Sequence, residues 1–478
     1  MTRLGDVCEK IGSGATPRGG KEAYKDAGIP IIRSQNIHDW VFQPDGLAFL
    51  DDEQAESLSN VEVRSNDVLL NITGDSVARA CIVPSERIPA RVNQHVAIVR
   101  AGKEINPTYL LASLQAKKTM LLSLASSGAT RNALTKRMIE NLDIDLPSRE
   151  IQDSIAQVLD SIQYKITLNN RLNDYLLELI SSVFAHRFSS NVNTTDLKNV
   201  LSISTKALKP QEHASEIWEH YSIPAFDEKH RPIFEPASEI KSNKYQIDNE
   251  CILISKLNPS TKRIWMPYCS SNNAVCSTEF IVYRPYLKEY KSFYYAAIDS
   301  PGFTDYLLEH VSGSTGSRQR AQPKDTLHYL MPNPSNEEIK NFCTFADPIY
   351  RHVQINEQQT AKLELLRDTL LPKLMSGEID VSKVDLTQLT NNHLAGRMHW
   401  SNVIRVRAIH AVHSQQSQIP AYESVPKVSH SPCRTALTLG GIAPLLSWLA
   451  VSQFTAQSFA MLVVFCQVVL CGVSSELS

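Results

Sequence analysis

The sequence predicts an α+β protein in which two mixed α/β domains alternate with two long helices. Three observations predict it: the length, a long internal repeat, and two strongly periodic segments. At 478 residues the chain exceeds one ordinary core, since domains usually run about 100 to 200 residues. With 42% hydrophobic and 21% charged residues the composition is that of a globular protein, which argues against collagen-like, disordered or membrane-bundle classes.

The repeat organises everything else, and it is found by self-alignment. LGDVCEKIGSGATP, ending at Pro17, aligns with LKNVLSISTKALKP, ending at Pro210; NDVLL from Asn66 aligns with NECIL from Asn249; LPS around Pro147 aligns with NPS around Pro334. The offsets are 193, 183 and 187 residues (17 to 210, 66 to 249, 147 to 334). A nearly fixed offset means duplication with small loop insertions and deletions. In each copy, short apolar or alternating runs (IPIIRS, DVLLNI, HVAIVR, CILISK, EFIVYR) are bounded by Gly, Pro, Asn and Ser and read as strands. Pro107 to Ser123 and Lys288 to Glu309 read as helices. The expected layout is a first domain at 1–147, a long helix at 148–188, a second domain at 189–334, a long helix at 335–380 and an atypical tail at 381–478.

In the first periodic segment Ile155, Val158, Ile162, Leu172, Leu176, Leu179 and Val183 follow three- and four-residue steps, with Lys165 and Asn169 on the same stripe. The second repeats this with Phe342, Phe345, Ile349, Leu363, Leu366 and Leu370, its polar members being His352, Asn356 and Gln359. Such spacing is a coiled-coil seam, on helices about 50 Å long at 1.5 Å per residue. An amphipathic helix packed on its own domain would read similarly.

The wording of these segments goes further than their period. LPSREIQDSIAQVLDSIQYKITLNNRLNDYLLELISSVF, Leu146 to Phe184, resembles the central conserved region of type I restriction-modification specificity subunits. NPSNEEIKNFCTFADPIYRHVQINEQQTAKLELLRDTLLPKLMSGEID, Asn333 to Asp380, resembles their C-terminal conserved region, with LRDTLLPKLMSGEI the most specific run. The first segment departs from the family's Glu-Gln pair, because Glu150 is followed by Ile151 and the glutamine comes at Gln152. The resemblance covers residues 1 to about 380. It implies two target recognition domains, each reading one half of a bipartite, asymmetric DNA site, and helices paired as an antiparallel coiled coil in a pseudo-two-fold arrangement. It also implies a non-catalytic subunit whose partners are double-stranded DNA, modification (methyltransferase) subunits docked on the helices, and restriction (translocase and nuclease) subunits. S-adenosylmethionine, ATP and Mg are then expected on those partners and none on this chain.

Base readout needs Arg, Lys, Asn and Gln, whose forked donors and acceptors match base edges. Two loops at equivalent places in the repeat carry them: SSGATRNALTKR offers Thr130, Arg131, Asn132, Lys136 and Arg137, and GSTGSRQRAQPK offers Ser317, Arg318, Gln319, Arg320 and Lys324. Further candidates are Arg18, Lys21, Arg33 and Arg79 in the first copy and Lys256, Lys262 and Arg263 in the second. Each is equally readable as a solvated surface charge. Asn169 and Asn356 fall near the midpoints of their helices. In an antiparallel pair they would face each other, and mutual amide bonds would lock the register.

The net charge of −2 gives no global basic field, so nucleic-acid binding must use local patches. NITGDS lacks phosphate-loop spacing, GSGATPRGG follows no clear strand, and neither His-Glu-x-x-His nor an Asn-Pro-Pro-Tyr methyltransferase motif occurs. The competing readings are a subunit of a fused modification-dependent nuclease, which would need a catalytic constellation, and a structural coiled-coil adaptor, which would not need the Arg- and Gln-bearing loops. Nine scattered cysteines without Cys-x-x-Cys pairs read as free thiols of a reducing cytoplasm, with no metal site. The start MTRLGDVCEKIGSG lacks a secretory apolar run. From residue 386 to Ser475 the only acidic residue is Glu423, and Thr435 to Ser475 carries no charge. Its densest run, FAMLVVFCQVVLCGV, is shorter than the roughly 20 residues of a membrane span. No membrane association is expected, and the tail reads as lacking a selected function.

Overall fold

A computed structural model describes residues 1–126, 132–190, 193–312 and 319–381, apart from the side chains of Gly20 and Lys21. Thr130, Arg131, Ser317, Arg318 and the tail lie outside the described residues. The molecule is mixed helix and sheet, and its contacts divide into two units. One holds residues 1–167 and the described residues from Ala361 onward, the other residues 168–360. Each unit therefore combines one globular domain with the first half of one long helix and the second half of the other.

In the first unit Cys8–Ser13, Val96–Ala101, Val68–Asn71 and Ala80–Ile82 lie side by side in that order, all antiparallel. Val68–Asn71 is buried on both faces, which explains an uninterrupted apolar run instead of alternation. The second sheet runs Ala48–Leu50, Ile29–Ile32, Ala90–Val92, Glu62–Val63, with its central pair parallel. The helix Pro107–Ala116 starts on Asn106, whose side chain accepts the N–H of Thr108 at 2.8 Å and of Tyr109 at 3.2 Å. An Asn cap followed by Pro suits a helix start, because Pro lacks the N–H that would be left unpaired.

The second unit repeats this plan. Leu201–Ser204, Phe280–Pro285, Ile252–Ser255 and Ile264–Trp265 form the first sheet. The other runs Ile233–Pro236, Ile217–Tyr221, Ala274–Ser277, Lys244–Gln246, again with the central pair parallel, plus the edge strand Ala207–Leu208. In both domains the first and last strands pair antiparallel, Thr2–Arg3 with Asp143–Ile144 and Thr194–Asp196 with Leu330–Pro332. Each domain thus ends beside its own beginning and feeds directly into a long helix.

The long helices are Arg149–Phe188 and Asn336–Met375, 40 residues each, about 60 Å at 1.5 Å per residue. Gln152, the glutamine displaced from the family pattern, is 1% exposed. It ties the first helix to its domain, accepting the N–H of Asn106 at 2.9 Å and donating to the carbonyls of Glu104 and Pro147 at 3.1 and 2.9 Å. The second helix opens with Ser335 and Glu338 bonded reciprocally, a capping box.

Buried positions on the first helix step through Leu159, Ile162, Ile166, Asn169, Asn173, Leu176, Ile180 and Val183, a strict alternation of three and four. Lys165, expected on this stripe, is exposed and its neighbour Ile166 takes the place. On the second helix the stripe runs through Ile349, Val353, Asn356, Thr360, Arg367 and Leu374. Leu366 is 46% exposed, off the stripe. Following apolar residues alone led the reading to Leu366, because the period passes instead through polar Thr360 and Arg367. In the second unit Phe184, Phe188, Phe293 and Phe342 form a cluster of tilted and edge-to-face rings joining both helices to the domain. In the first unit Arg367 donates to Gln163 Oε1 at 2.8 Å and lies over the Trp40 ring, 5.2 Å from its centroid. None of the helices among the described residues is long and apolar enough to cross a membrane.

Candidate nucleic-acid interface

In each domain the turn leaving the central strand receives one of the two Arg- and Gln-bearing loops. Gly74 N–H donates to Asn132 O at 3.2 Å, and Leu134 N–H to Ile72 O at 2.8 Å. Asn258 N–H donates to Gln319 O at 3.0 Å, and Ala321 N–H to Lys256 O at 2.9 Å. Thr73 bridges to Ala133 and Leu257 to Arg320. Gly74 and Asn258 both have positive φ, 78° and 49°, a conformation that Gly adopts freely and Asn tolerates better than other side chains. The same backbone joint is thus built twice from different sequence.

A second backbone joint abuts each turn. Ile72 N–H donates to His95 O at 3.0 Å and Lys256 N–H to Glu279 O at 2.9 Å. His95 N–H is held by Asn93 Oδ1 at 3.1 Å and Glu279 N–H by Ser277 Oγ at 3.2 Å. On this common frame the side chains differ. In the first domain His95 Nδ1 lies 2.7 Å from Thr73 Oγ1 and its Nε2 lies 3.3 Å from Gln94 Nε2. In the second domain Arg320 Nε donates to Glu279 Oε2 at 3.1 Å.

The candidates from sequence divide accordingly. Asn132, Lys136 and Arg137 are exposed beside the first turn, Lys136 pairing with Glu140 at 3.4 Å. Gln319, half-buried, and Arg320 and Lys324, both exposed, follow the second turn. Arg18 is exposed, and Lys256 and Arg79 are half-buried. Burial first, then the charge of Arg79, pushes His38 below the usual histidine range. The remaining cations are engaged within the fold. Arg33 donates to Gly46 O at 2.6 Å and lies over the Tyr24 ring. Lys262 is bound to Asp299, whose carboxyl is raised by burial against the opposing effect of Lys262. Arg263, 9% exposed, closes both arms of its fork on Asp227 at 2.6 and 2.8 Å. A buried guanidinium has to be paired, so Arg263 braces the turn instead of facing solvent.

Sequence reading missed Thr73, Gln94, His95 and Glu279. The only local signal was a polar triplet, Asn93-Gln94-His95, immediately before the strand Val96–Ala101.

Asn169 and Asn356 are 1% and 5% exposed, but they do not pair with each other. Asn356 Nδ2 donates to Asn173 Oδ1 at 2.8 Å, and Asn169 Nδ2 to Gln359 Oε1 at 3.0 Å and Thr360 Oγ1 at 3.4 Å. The helices descend against each other there, 173 beside 356 and 169 beside 360, so the polar pairs form two layers one turn apart. The expected facing pair fails because the register is offset by one turn, so that Asn169 meets Thr360 instead of Asn356, and Asn356 meets Asn173 instead of Asn169.

Residues 1–178 match the family model for the type I restriction modification DNA specificity domain. The chain is 21% identical over 417 residues to the type I restriction enzyme MjaIX specificity subunit of Methanocaldococcus jannaschii, covering 80% of this chain and 94% of that one. It is 23% identical over 178 residues to the putative MjaX specificity subunit of the same organism, covering 36% of this chain and 41% of that one. Among solved structures it aligns with a type I restriction-modification S subunit from M. genitalium, at 14% identity and TM-score 0.49, over 78% of this chain and 95% of that one. A second is the HsdS subunit from Thermoanaerobacter tengcongensis, at 18% identity and TM-score 0.31, over 79% and 96%. Residues 1–178 thus match the model of the type I restriction modification DNA specificity domain, and over most of its length the chain is similar to a specificity subunit of a type I restriction enzyme.

Proposed function

We propose that this chain chooses the DNA sequence on which a type I restriction-modification complex acts, each globular domain reading one half of a bipartite, asymmetric site. The observation that carries this reading is the doubled joint, in which Gly74 with Asn132 and Asn258 with Gln319 place Asn-, Gln- and Arg-bearing loops at equivalent corners. Two domains with one frame and different side chains would read different bases, and a non-palindromic site follows. The long helices act as an antiparallel coiled-coil ruler, because readers on a stiff spacer impose a fixed gap between half-sites that recur about every 34 to 36 Å of DNA. Their exposed apolar residues, among them Leu168, Tyr175, Ile355 and Leu365, offer a docking surface for modification subunits. Methyl transfer from S-adenosylmethionine and ATP- and Mg-dependent translocation and cleavage belong to the partner subunits, in the cytoplasm.

The test is to sequence methylated positions in a host carrying the system, with and without this chain. The expected result is a bipartite adenine motif that disappears on deletion. The purified chain alone is expected neither to methylate nor to cut DNA, and methyl transfer by it alone would refute the non-catalytic assignment.

A further inference from the structure

The two domains carry different chemistry on one frame, and that difference has a direction. His95 has one ring nitrogen against Thr73 Oγ1 at 2.7 Å and the other against the amide of Gln94 at 3.3 Å. With the Gln94 amide nitrogen facing the ring, a neutral imidazole satisfies both contacts when Nε2 accepts a Gln94 amide hydrogen and Nδ1–H donates to Thr73 Oγ1. Among the described residues the Oε1 and the second amide hydrogen of the exposed Gln94 then have no partner and stand side by side. That is the pattern adenine asks for, with N6–H donating to the oxygen and N7 accepting from the nitrogen.

In the second domain the equivalent position is Glu279, whose carboxylate takes the Nε of Arg320 and no other side chain among the described residues. Among the described residues both terminal nitrogens of the guanidinium are left without a side-chain partner, and together they can make a bidentate contact to guanine O6 and N7. A phosphate contact would need neither arrangement, since a phosphate accepts from any cation and gains nothing from a carboxylate placed beside it.

We propose that Gln94, oriented by His95 and Thr73, reads an adenine in one half-site, and that Arg320, oriented by Glu279, reads a guanine in the other. This rests on the DNA-reading function above and adds the residues and the base identities to it.

The experiment uses the full chain assembled with its modification subunit and a duplex DNA library randomised across the site, with bound sequences read out. Variants Gln94→Ala, Arg320→Lys and Glu279→Ala are compared with the wild type after checking that their melting temperatures agree. Gln94→Ala should lose discrimination for adenine at one position of one half-site by about tenfold or more, leaving the other half-site untouched. Arg320→Lys keeps the charge but loses the fork, so it should lose guanine at one position of the other half-site, and Glu279→Ala should weaken the same position. Unchanged sequence profiles in all three variants, or an equal fall in binding to all sequences, would overturn the assignment while leaving the DNA-reading function standing. If the wild-type complex selects no bipartite sequence, both proposals fall together.

Discussion

At the residue scale, the equivalent arginines of the two domains hold carboxylates from different positions and with different burial. Arg100 grips Asp67 with two bonds, 2.7 and 2.8 Å, and Asp67 is 1% exposed. At the equivalent place Arg284 holds Asp248 at 2.9 Å with half of the carboxylate in solvent. Breaking a buried pair leaves an uncompensated charge, whereas an exposed pair is screened. Arg100→Ala should therefore cost about 3 to 5 kcal/mol and Arg284→Ala no more than about 1 kcal/mol by denaturant unfolding. Equal costs would contradict this account of their burial. His220 makes the second residue-scale case. It is 8% exposed, and burial pushes it below the usual histidine range, aided by Lys244 and opposed by its bond to Glu235 at 2.5 Å. The folded state keeps the ring neutral, while the unfolded chain takes a proton near pH 6.5. The stability contributed is full above that value and is lost as the pH falls below it. Melting temperature should drop between pH 7 and 5.5, and His220→Gln should flatten that drop; an identical slope in the variant would exclude His220 as the source.

At the element scale, the polar layers of the helix seam carry a register. Asn173 with Asn356, and Asn169 with Gln359 and Thr360, interrupt a stripe that is apolar on the first helix and mostly apolar on the second. A shift by one heptad, about 10 Å at 1.5 Å per residue, would set these amides against Leu363, Ile349, Val353, Ile166 and Ile180, or in one direction Asn169 against Arg367. Asn356→Leu alone leaves Asn173 Oδ1 buried without its donor and should cost about 1 to 3 kcal/mol. The double variant Asn173→Leu/Asn356→Leu removes both partners and should recover much of that loss, because an apolar pair has no polar group to desolvate. Additive costs in the double variant would show that the two amides are not one unit. If the chain sets the gap between two half-sites as proposed, the double variant should also relax that gap. The existence of both long helices was legible from sequence, since a three-four period survives divergence. The true path of the second stripe was not, because Thr360 and Arg367 are polar and are buried by partners, Asn169 and Gln163 with Trp40, that lie far away in sequence.

At the scale of the whole molecule, the same limit explains the candidate site. Loop composition pointed to Asn132, Gln319 and Arg320, and backbone bonds to the central turns set those loops at matching corners. Composition could not separate Arg320 from Arg263, whose fork is closed by Asp227, 36 residues away in sequence. Nor could it find Gln94, whose orientation depends on Thr73 through His95. The repeat also sets where the working chain ends. Its second copy finishes with the helix Asn336–Met375, and Val381, 5% exposed, packs with Leu371 and Leu374 into the first domain's core. From residue 386 onward nothing in the sequence belongs to either copy, and the abrupt loss of acidic residues there has no counterpart at the end of the first copy. Truncation after Asp385 should therefore leave the melting temperature of the chain and the sequence bound by its complex unchanged, with affinity within about threefold, the scale of a neutral surface change. Both domains, both helices and the Val381 contact are retained in that variant, so a large loss of binding could not be blamed on the repeat. Such a loss would place residues 386–478 in the DNA-reading machinery itself.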